Sequence, residues 1–163
     1  MPTPRPFRTI EPFCGLPPEA TQRLDAECRW ASIGPDTLVI DADAGGPHGV
    51  FVLAEGQVDV HRRDGNGEPV HLGRLTAVDC FGEFAAIHGV PGSASVRTNT
   101  HCLVAEIDPA VFVALLGDYP ALSLKLLGRA VSLLKSLDDD LVRLRLAQKR
   151  IDEVYRNAVM RTL

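Results

Sequence analysis

Apolar and polar positions alternate with a period of two between residues 30 and 107. Val50 and Val52, and later Val58 and Val60, alternate with their neighbours, and the segment Asp64–Gly67 (DGNG) is a strong hairpin signal. Turn signals recur about every eight to twelve residues. Regularly spaced short strands of this kind predict a jelly roll or a similar closed β architecture.

The period becomes helical after residue 107. Asp108 is expected to be an N-cap with Pro109 at the first helical position. A second helix is expected to start at Pro120 and to continue to about Met160, since this stretch has one glycine and no further proline. Its apolar residues recur mostly in steps of three and four: Leu126, Ala130, Leu133, Leu137, Leu141, Leu144, Ile151, Tyr155 and Ala158.

The apolar stripe of this helix needs a second surface, because the helix is too long for a single small domain to cover. We expect it to pair in parallel with the same helix of a second chain, forming a homodimer. The alternative is a helix that folds back on its own barrel. The basic side chains near the C-terminus are expected to form a solvated helix face.

The N-terminal region predicts an arm followed by a short helix. Residues 1–9 contain three prolines, and Leu16–Glu19 opens a helix with Ala20 and Leu24 on one face. We therefore expect a flexible arm at 1–9, a β-roll domain at 10–117 and a long dimerisation helix at 118–163. The fold class is mostly β with α: a jelly-roll (double-stranded β-helix) barrel with short N-terminal helices and a long C-terminal helix.

Composition narrows the function classes. The chain has 163 residues, 45% of them hydrophobic and 23% charged, with a net charge of −4, which gives no global attraction to nucleic acid or anionic lipid. No apolar run is long enough for a membrane span, and the N-terminus lacks an apolar signal core. We expect a cytoplasmic protein that does not contact membranes.

Neither the cysteines nor the histidines show the spacing of metal ligands. The four cysteines are widely separated and are expected to be free thiols, and no metal site is predicted. His71 and His101 are the two histidines that neighbouring strands could bring together. Motifs of hydrolases, P-loop enzymes and zinc proteases are missing from the sequence, so we expect no enzymatic activity.

The segment Phe81–Val96 (FGEFAAIHGVPGSASV) carries the most specific signal. It resembles the phosphate-binding cassette of the cyclic nucleotide-binding domain family, whose pattern F-G-E-L-A-L is followed by P-R-[ST/A]-A-[ST]-V, and it matches without a gap. Pro12–Glu19 resembles the entry helix of that family, and Val52–Val60 resembles one of its strand pairs. The resemblance covers residues 10 to about 140 and implies a regulatory sensor domain in signal transduction, as in catabolite activator proteins and protein kinase A regulatory subunits.

The resemblance also implies a ligand site. In the family, the short helix that begins at the position of Glu83 directs backbone N–H groups at the cyclic phosphate, and the glutamate accepts the ribose 2′-hydroxyl. Gly82 would let the backbone approach the sugar, and Ser93 would donate to a phosphate oxygen. The expected ligand-binding residues are Phe81, Gly82, Glu83, Phe84, Ala85, Gly92, Ser93 and Ala94.

One departure changes the expected ligand. The family's arginine, which holds the phosphate with two charge-assisted hydrogen bonds, falls at Gly92, and its loss is expected to weaken binding by about 100-fold or more. We therefore expect cyclic AMP or cyclic GMP to bind weakly or not at all, and no other cofactor.

A second departure concerns the output. No helix-turn-helix is readable after the long helix, so no nucleic acid contact is expected through this chain alone. Three hypotheses remain: a small-molecule sensor whose ligand alters the long helix and the dimer, a protein-interaction module with a vestigial cassette, and a truncated Crp/Fnr-type transcription regulator.

Overall fold

The computed structural model describes residues 6–45, 49–92 and 94–160, the last seven of them by their backbone only. A 3-10 helix at Phe7–Thr9 precedes α1 (Pro18–Glu27). The strands and helices that follow are β1 (Arg29–Ile33), β2 (Leu38–Ile40), β3 (Val50–Glu55), β4 (Gln57–Arg63), β5 (Pro69–Thr76), β6 (Cys80–Phe81), α2 (Glu83–His88), β7 (Ser95–Thr98), β8 (Cys102–Ile107), α3 (Pro109–Asp118) and α4 (Pro120–Met160).

The strands form two four-stranded antiparallel sheets. The first has the order β1-β8-β3-β6 and the second the order β2-β7-β4-β5. Leu53 belongs to a buried cluster, while its neighbours Val52 and Ala54, which point to the other face of the strand, are also fully buried. Strand β3, which lies inside the first sheet, is therefore covered on both faces. The prediction of a mostly β domain with helices at its ends is confirmed.

Two aspartate side chains bind backbone N–H groups where the sequence predicts a helix start and a hairpin turn. Asp108 Oδ1 accepts hydrogen bonds from the backbone N–H groups of Ala110 (2.8 Å) and Val111 (3.4 Å), so it caps α3. Asp64 Oδ1 accepts from the backbone N–H groups of Asn66 (2.8 Å) and Glu68 (2.9 Å) in the turn between β4 and β5.

The N-terminal segment is attached to the domain through an aromatic cluster. Phe7 is completely buried, and its ring lies 5.3 Å from that of Phe13 and 5.8 Å from that of Trp30, measured between centroids. The backbone N–H of Phe7 donates to Asp25 Oδ1 at 3.2 Å. The predicted arm of residues 1–9 therefore includes a core residue at its described end.

On the β4–β5 hairpin, Arg74 donates two hydrogen bonds to the carboxylate of Asp59, at 2.7 and 3.1 Å. These bonds stabilise the ionised form, so the pKa of Asp59 lies below its ordinary value. Strand β5 is one of the two outer strands of its sheet, and most of its residues are exposed.

The chain divides into two compact units, Met1–Ser123 and Leu124–Leu163. The second unit is the greater part of α4, in agreement with the predicted long C-terminal helix. An apolar stripe runs along it, with alternating steps of three and four up to Leu144 and a final step of seven, and six of its members are exposed by about half to two thirds. The stripe consists of Leu127, Ala130, Leu134, Leu137, Leu141, Leu144 and Ile151. It differs from the expected series in having Leu127 and Leu134 for Leu126 and Leu133, and the side chains of Tyr155 and Ala158 lie outside the described residues.

Within the described ranges, no single helix combines the length and the apolar character needed to cross a membrane. One bent pair, α3 together with Pro120–Glu153, meets the two thresholds jointly by length and composition.

Candidate functional site

The cassette begins where the short strand β6 pairs with β3. Phe81 lies opposite Phe51 in this pairing, and the two rings are stacked with their centroids 5.3 Å apart and an interplanar angle of 16°. Phe81 is 5% exposed and belongs to the buried cluster of the two sheets. The residue that leads into α2 is therefore fixed by the core.

Gly82 joins this strand to α2 in a conformation that favours glycine. Its φ is 87°, in the left-handed region, and a Cβ built on it would lie 2.5 Å from the carbonyl oxygen of Gly49. Both facts exclude an unstrained side chain at this position. The resemblance assigned to Gly82 an approach of the backbone to the sugar of a ligand, whereas the neighbour that the structure places beside Gly82 is the Gly49 carbonyl.

Helix α2 is a short helix between two left-handed glycines. It runs from Glu83 to His88, with Gly82 as N-cap and Gly89 as C-cap. Glu83 stands in the first turn and is half-buried, and Ala85 is the buried residue of the helix. The glutamate is therefore the acidic group at the helix end where the resemblance expects it.

Gly92 returns the chain towards α2. A Cβ built on Gly92 would have the Cβ of Ala85 as its nearest neighbour, at 3.9 Å, which is ordinary van der Waals contact. This position therefore has room for a side chain. Ser93 lies outside the described residues. Ala94 is half-buried, and the chain then enters β7.

Three apolar side chains of this segment are exposed. The exposed fractions of Phe84, Ile87 and Val90 are 57%, 51% and 57%. We call these three residues the cassette patch. Of the predicted ligand residues, Phe81 to Ala85 follow one another in the chain, and Gly92 lies beside Ala85. The side chain of Phe84, however, is exposed and belongs to the cassette patch.

Basic side chains are scarce here. Among the described residues from 81 to 94, His88 at the end of α2 carries the one basic side chain. Arg97, on β7, donates through Nη1 to the backbone oxygen of Asp36 at 2.8 Å and to its carboxylate at 3.2 Å. Arg97 is therefore already bound to an acidic residue.

A cavity of about 310 Å³ lies against the first sheet. Its polar side is formed by Arg29 and Glu106, which form an ion pair at 3.1 Å. Phe51 connects the cavity to the cassette, because the same ring stacks on Phe81. The remaining lining is mainly apolar: Ala31, Ile33, Leu38, Val39 and Val104, together with Thr37.

The sequence analysis did not predict the approach of Gly49 to Gly82. The expectation that neighbouring strands bring His71 and His101 together was wrong. His71 lies opposite His61 on the β4–β5 hairpin, whereas His101 Nε2 lies 3.4 Å from Ser32 Oγ. A register shift between Val60 and His61 decides this pairing, and alternation alone does not reveal it.

The comparisons with known proteins agree on one fold. The family model of the cyclic nucleotide-binding domain matches residues 32–119. No curated protein sequence is significantly similar to the chain. The structure is similar to the catabolite activator protein of Thermus thermophilus, with 19% sequence identity and a TM-score of 0.68, over 86% of this chain and 63% of that one.

Two further solved structures are similar. One is the sensor domain of the transcriptional regulator DNR from Pseudomonas aeruginosa, with 19% identity and a TM-score of 0.67, over 78% of this chain and 90% of that one. The other is the regulatory subunit of a cAMP-independent protein kinase A from Trypanosoma cruzi bound to guanosine, with 25% identity and a TM-score of 0.62, over 73% of this chain and 41% of that one.

These similarities confirm the predicted jelly roll. The chain spans less than two thirds of the Thermus protein and less than half of the Trypanosoma protein, and nearly all of the Pseudomonas sensor domain. The residues matched by the family begin near the end of β1 and run just past the end of α3, so they include the other seven strands and the whole cassette. The chain therefore belongs to the cyclic nucleotide-binding domain family, whose members are regulatory domains.

Proposed function

We propose that this chain is a regulatory sensor domain in which a small molecule bound at the cassette alters α4 and the geometry of a homodimer. One observation carries the proposal: the acidic Glu83 opens α2 directly after the left-handed Gly82, at the place where the family binds its ligand. The homodimer is supported by the exposed apolar stripe of α4, which a second copy of the helix would cover.

The charges around the cassette favour a ligand that does not depend on a phosphate. Gly92 supplies no cation, and Arg97 already binds Asp36. In the described part of the cassette, a phosphate placed beside the carboxylate of Glu83 would lack the guanidinium that Gly92 replaces. We therefore propose weak binding of cyclic nucleotides and a preference for ligands that donate hydroxyl groups to Glu83. The guanosine bound to the Trypanosoma cruzi protein is a ligand of this kind, since a nucleoside has ribose hydroxyls and no phosphate.

The test is a calorimetric titration with cyclic AMP, cyclic GMP and guanosine, carried to millimolar ligand. The wild type is compared with Gly92→Arg and with Glu83→Gln. Gly65→Arg is the matched control. Gly65 also has open space around it, and the substitution adds the same charge in the turn after β4, away from the cassette. We expect Gly92→Arg to strengthen cyclic nucleotide binding by about 100-fold, the value of two charge-assisted hydrogen bonds, and Gly65→Arg to leave it unchanged.

Two results separate the parts of the proposal. Binding of guanosine by the wild type that is lost in Glu83→Gln would support a sensor of phosphate-free ligands. If neither the wild type nor Gly92→Arg bound any of the three ligands, the result would contradict the sensor function.

The cassette patch favours a second candidate function, a protein-interaction module. Phe84, Ile87 and Val90 are each more than half exposed, and neighbouring exposed apolar side chains are typical of contact surfaces. This function predicts that ligand binding is absent and that Ile87→Asp abolishes capture of a protein partner. Native mass spectrometry distinguishes the two functions, because a co-purified small molecule contradicts the vestigial cassette.

The third candidate is the sensor part of a Crp/Fnr-type transcription regulator. Its support is that the chain spans 63% of the Thermus catabolite activator protein. This candidate predicts a coding sequence that continues beyond Leu163, and sequencing of the gene tests it. A stop codon at that point would contradict it.

A further inference from the structure

Two histidines face each other on the β4–β5 hairpin. The register shift between Val60 and His61 places His61 directly opposite His71. In antiparallel strands, Cβ atoms of directly opposed residues are about 4.5–5.5 Å apart. The ring centroids of the two histidines are 5.2 Å apart, with an interplanar angle of 63°.

A carboxylate on the same surface orients one of the two rings. His71 Nε2 lies 3.3 Å from Asp59 Oδ1, and the same carboxylate accepts the two hydrogen bonds from Arg74. A neutral imidazole that donates Nε2–H to this carboxylate carries its lone pair on Nδ1. Carboxylate, histidine and metal are commonly arranged in this order, because the carboxylate fixes the tautomer and the ring orientation.

We propose that His61 and His71 form a two-histidine binding site for a divalent transition-metal ion of the Zn²⁺ or Ni²⁺ class. Zinc binds imidazole nitrogen at about 2.0–2.1 Å in tetrahedral geometry, which places the centroids of two coordinating rings about 5 Å apart. The observed separation of 5.2 Å agrees with this value. Imidazole ligands favour zinc, nickel and copper over magnesium and calcium.

Water completes the coordination shell at this site. In the part of the chain that the structure describes, no three His, Cys, Asp or Glu side chains are grouped so that they could hold a metal ion. The side chain of His71 is 51% exposed, so solvent reaches the ring. A bound ion would join β4 to β5, an outer strand of the sheet, and would stabilise the folded state because the pair exists only there.

The test is an isothermal titration of the tag-free protein with ZnCl₂ and NiCl₂, without nucleotide, so that its outcome is independent of the cassette. We expect one site per chain, weakened at least tenfold in His61→Asn and in His71→Asn. His101→Asn is the matched control and should bind like the wild type, since His101 lies near Ser32 instead. Asp59→Asn should weaken binding by about tenfold, the effect of losing an orienting carboxylate.

Thermal unfolding gives a second readout. Zn²⁺ should raise the Tm of the wild type and of His101→Asn, and should leave the Tm of the His61→Asn/His71→Asn double variant unchanged. The metal-free Tm of each variant shows that it is folded. Absence of binding by the wild type at millimolar metal, or equal binding by the double variant, would overturn the proposal.

Discussion

The carbonyl oxygen of Gly49 lies 2.5 Å from the point where a Cβ of Gly82 would stand. The backbone just before β3 thus closes against the residue that begins the cassette, and the contact requires glycine on the cassette side. Gly82, with its left-handed φ, is the N-cap of α2, and Glu83 follows it as the first residue of the helix.

Gly82→Ala should therefore lower the free energy of unfolding by about 2–3 kcal/mol, from the left-handed backbone and the steric conflict together. Gly89→Ala is the matched control, because Gly89 has a φ of +67° but open space around it. It should cost only about 1–2 kcal/mol, the strain of a left-handed residue with a side chain. Urea unfolding of the two variants measures the difference, and equal losses would contradict the steric role of Gly49.

The cap of α3 provides a second prediction. Asp108→Ala removes the acceptor of the backbone N–H groups of Ala110 and Val111, and should lower the free energy of unfolding by about 1 kcal/mol. Asp108→Asn keeps an oxygen acceptor and should remain close to the wild type. If urea unfolding gave both variants the same loss, the charge of Asp108 rather than its hydrogen bonds would be responsible.

Cys28 should be unreactive at neutral pH. Burial, with a smaller contribution from the nearby charge of Asp25, raises the pKa of its thiol from 9.0 to about 11. At pH 8 this lowers the fraction of thiolate by about 100-fold relative to the unfolded chain. Alkylation by iodoacetamide, resolved at Cys28 by mass spectrometry, should be slow in the folded protein and fast in urea. Equal rates would contradict the raised pKa.

The same shift has a consequence for stability. Because the folded state holds the proton more tightly, Cys28 contributes stability that is fully present below pH 9 and is lost as the pH rises towards 11. Cys28→Ser should reduce this decline between pH 9 and 11. If Cys28→Ser lost as much stability as the wild type between pH 9 and 11, groups other than Cys28 would cause the loss.

The proposed dimer makes a prediction for α4. Leu137→Lys places a charge in the apolar stripe and should halve the mass measured by light scattering after size-exclusion chromatography. Leu146→Lys is the matched control, since Leu146 is equally exposed, at 55% against 56%, but lies outside the stripe. A wild type that elutes as a monomer, or a dimer that survives Leu137→Lys, would contradict pairing through this stripe.

The sequence predicts those parts of the fold that depend on local patterns. The alternation around Val58 predicts a strand because side chains of a strand point to alternate faces, and Asp108 predicts a helix start because its side chain bonds within three residues. The motif beginning at Phe81 predicts the cassette for the same reason, since strand, left-handed glycine and helix follow one another directly.

Relationships between distant residues were not accessible in this way. The contact of Gly49 with Gly82 joins segments separated by four strands, and no local pattern encodes it. The pairing of His61 with His71 depends on a register shift that changes which residues are opposed. The packing of the Phe7 ring against those of Phe13 and Trp30 is likewise not visible in the proline-rich composition of residues 1–9.

The outer strands of the two sheets differ greatly in length, and this difference bears on how the protein avoids aggregation. Among the described strands, β6 has two residues and β2 three, which is too short to template the addition of another strand. Strand β5 has eight residues and exposes Val70 and Leu72, so it is the edge most open to unwanted pairing. Pro69 at its start, the charge of Arg74 and the register shift opposite it are the features that natural sheets use to discourage such pairing. The loss of Arg74 would thus endanger solubility at high protein concentration more than it would endanger the fold.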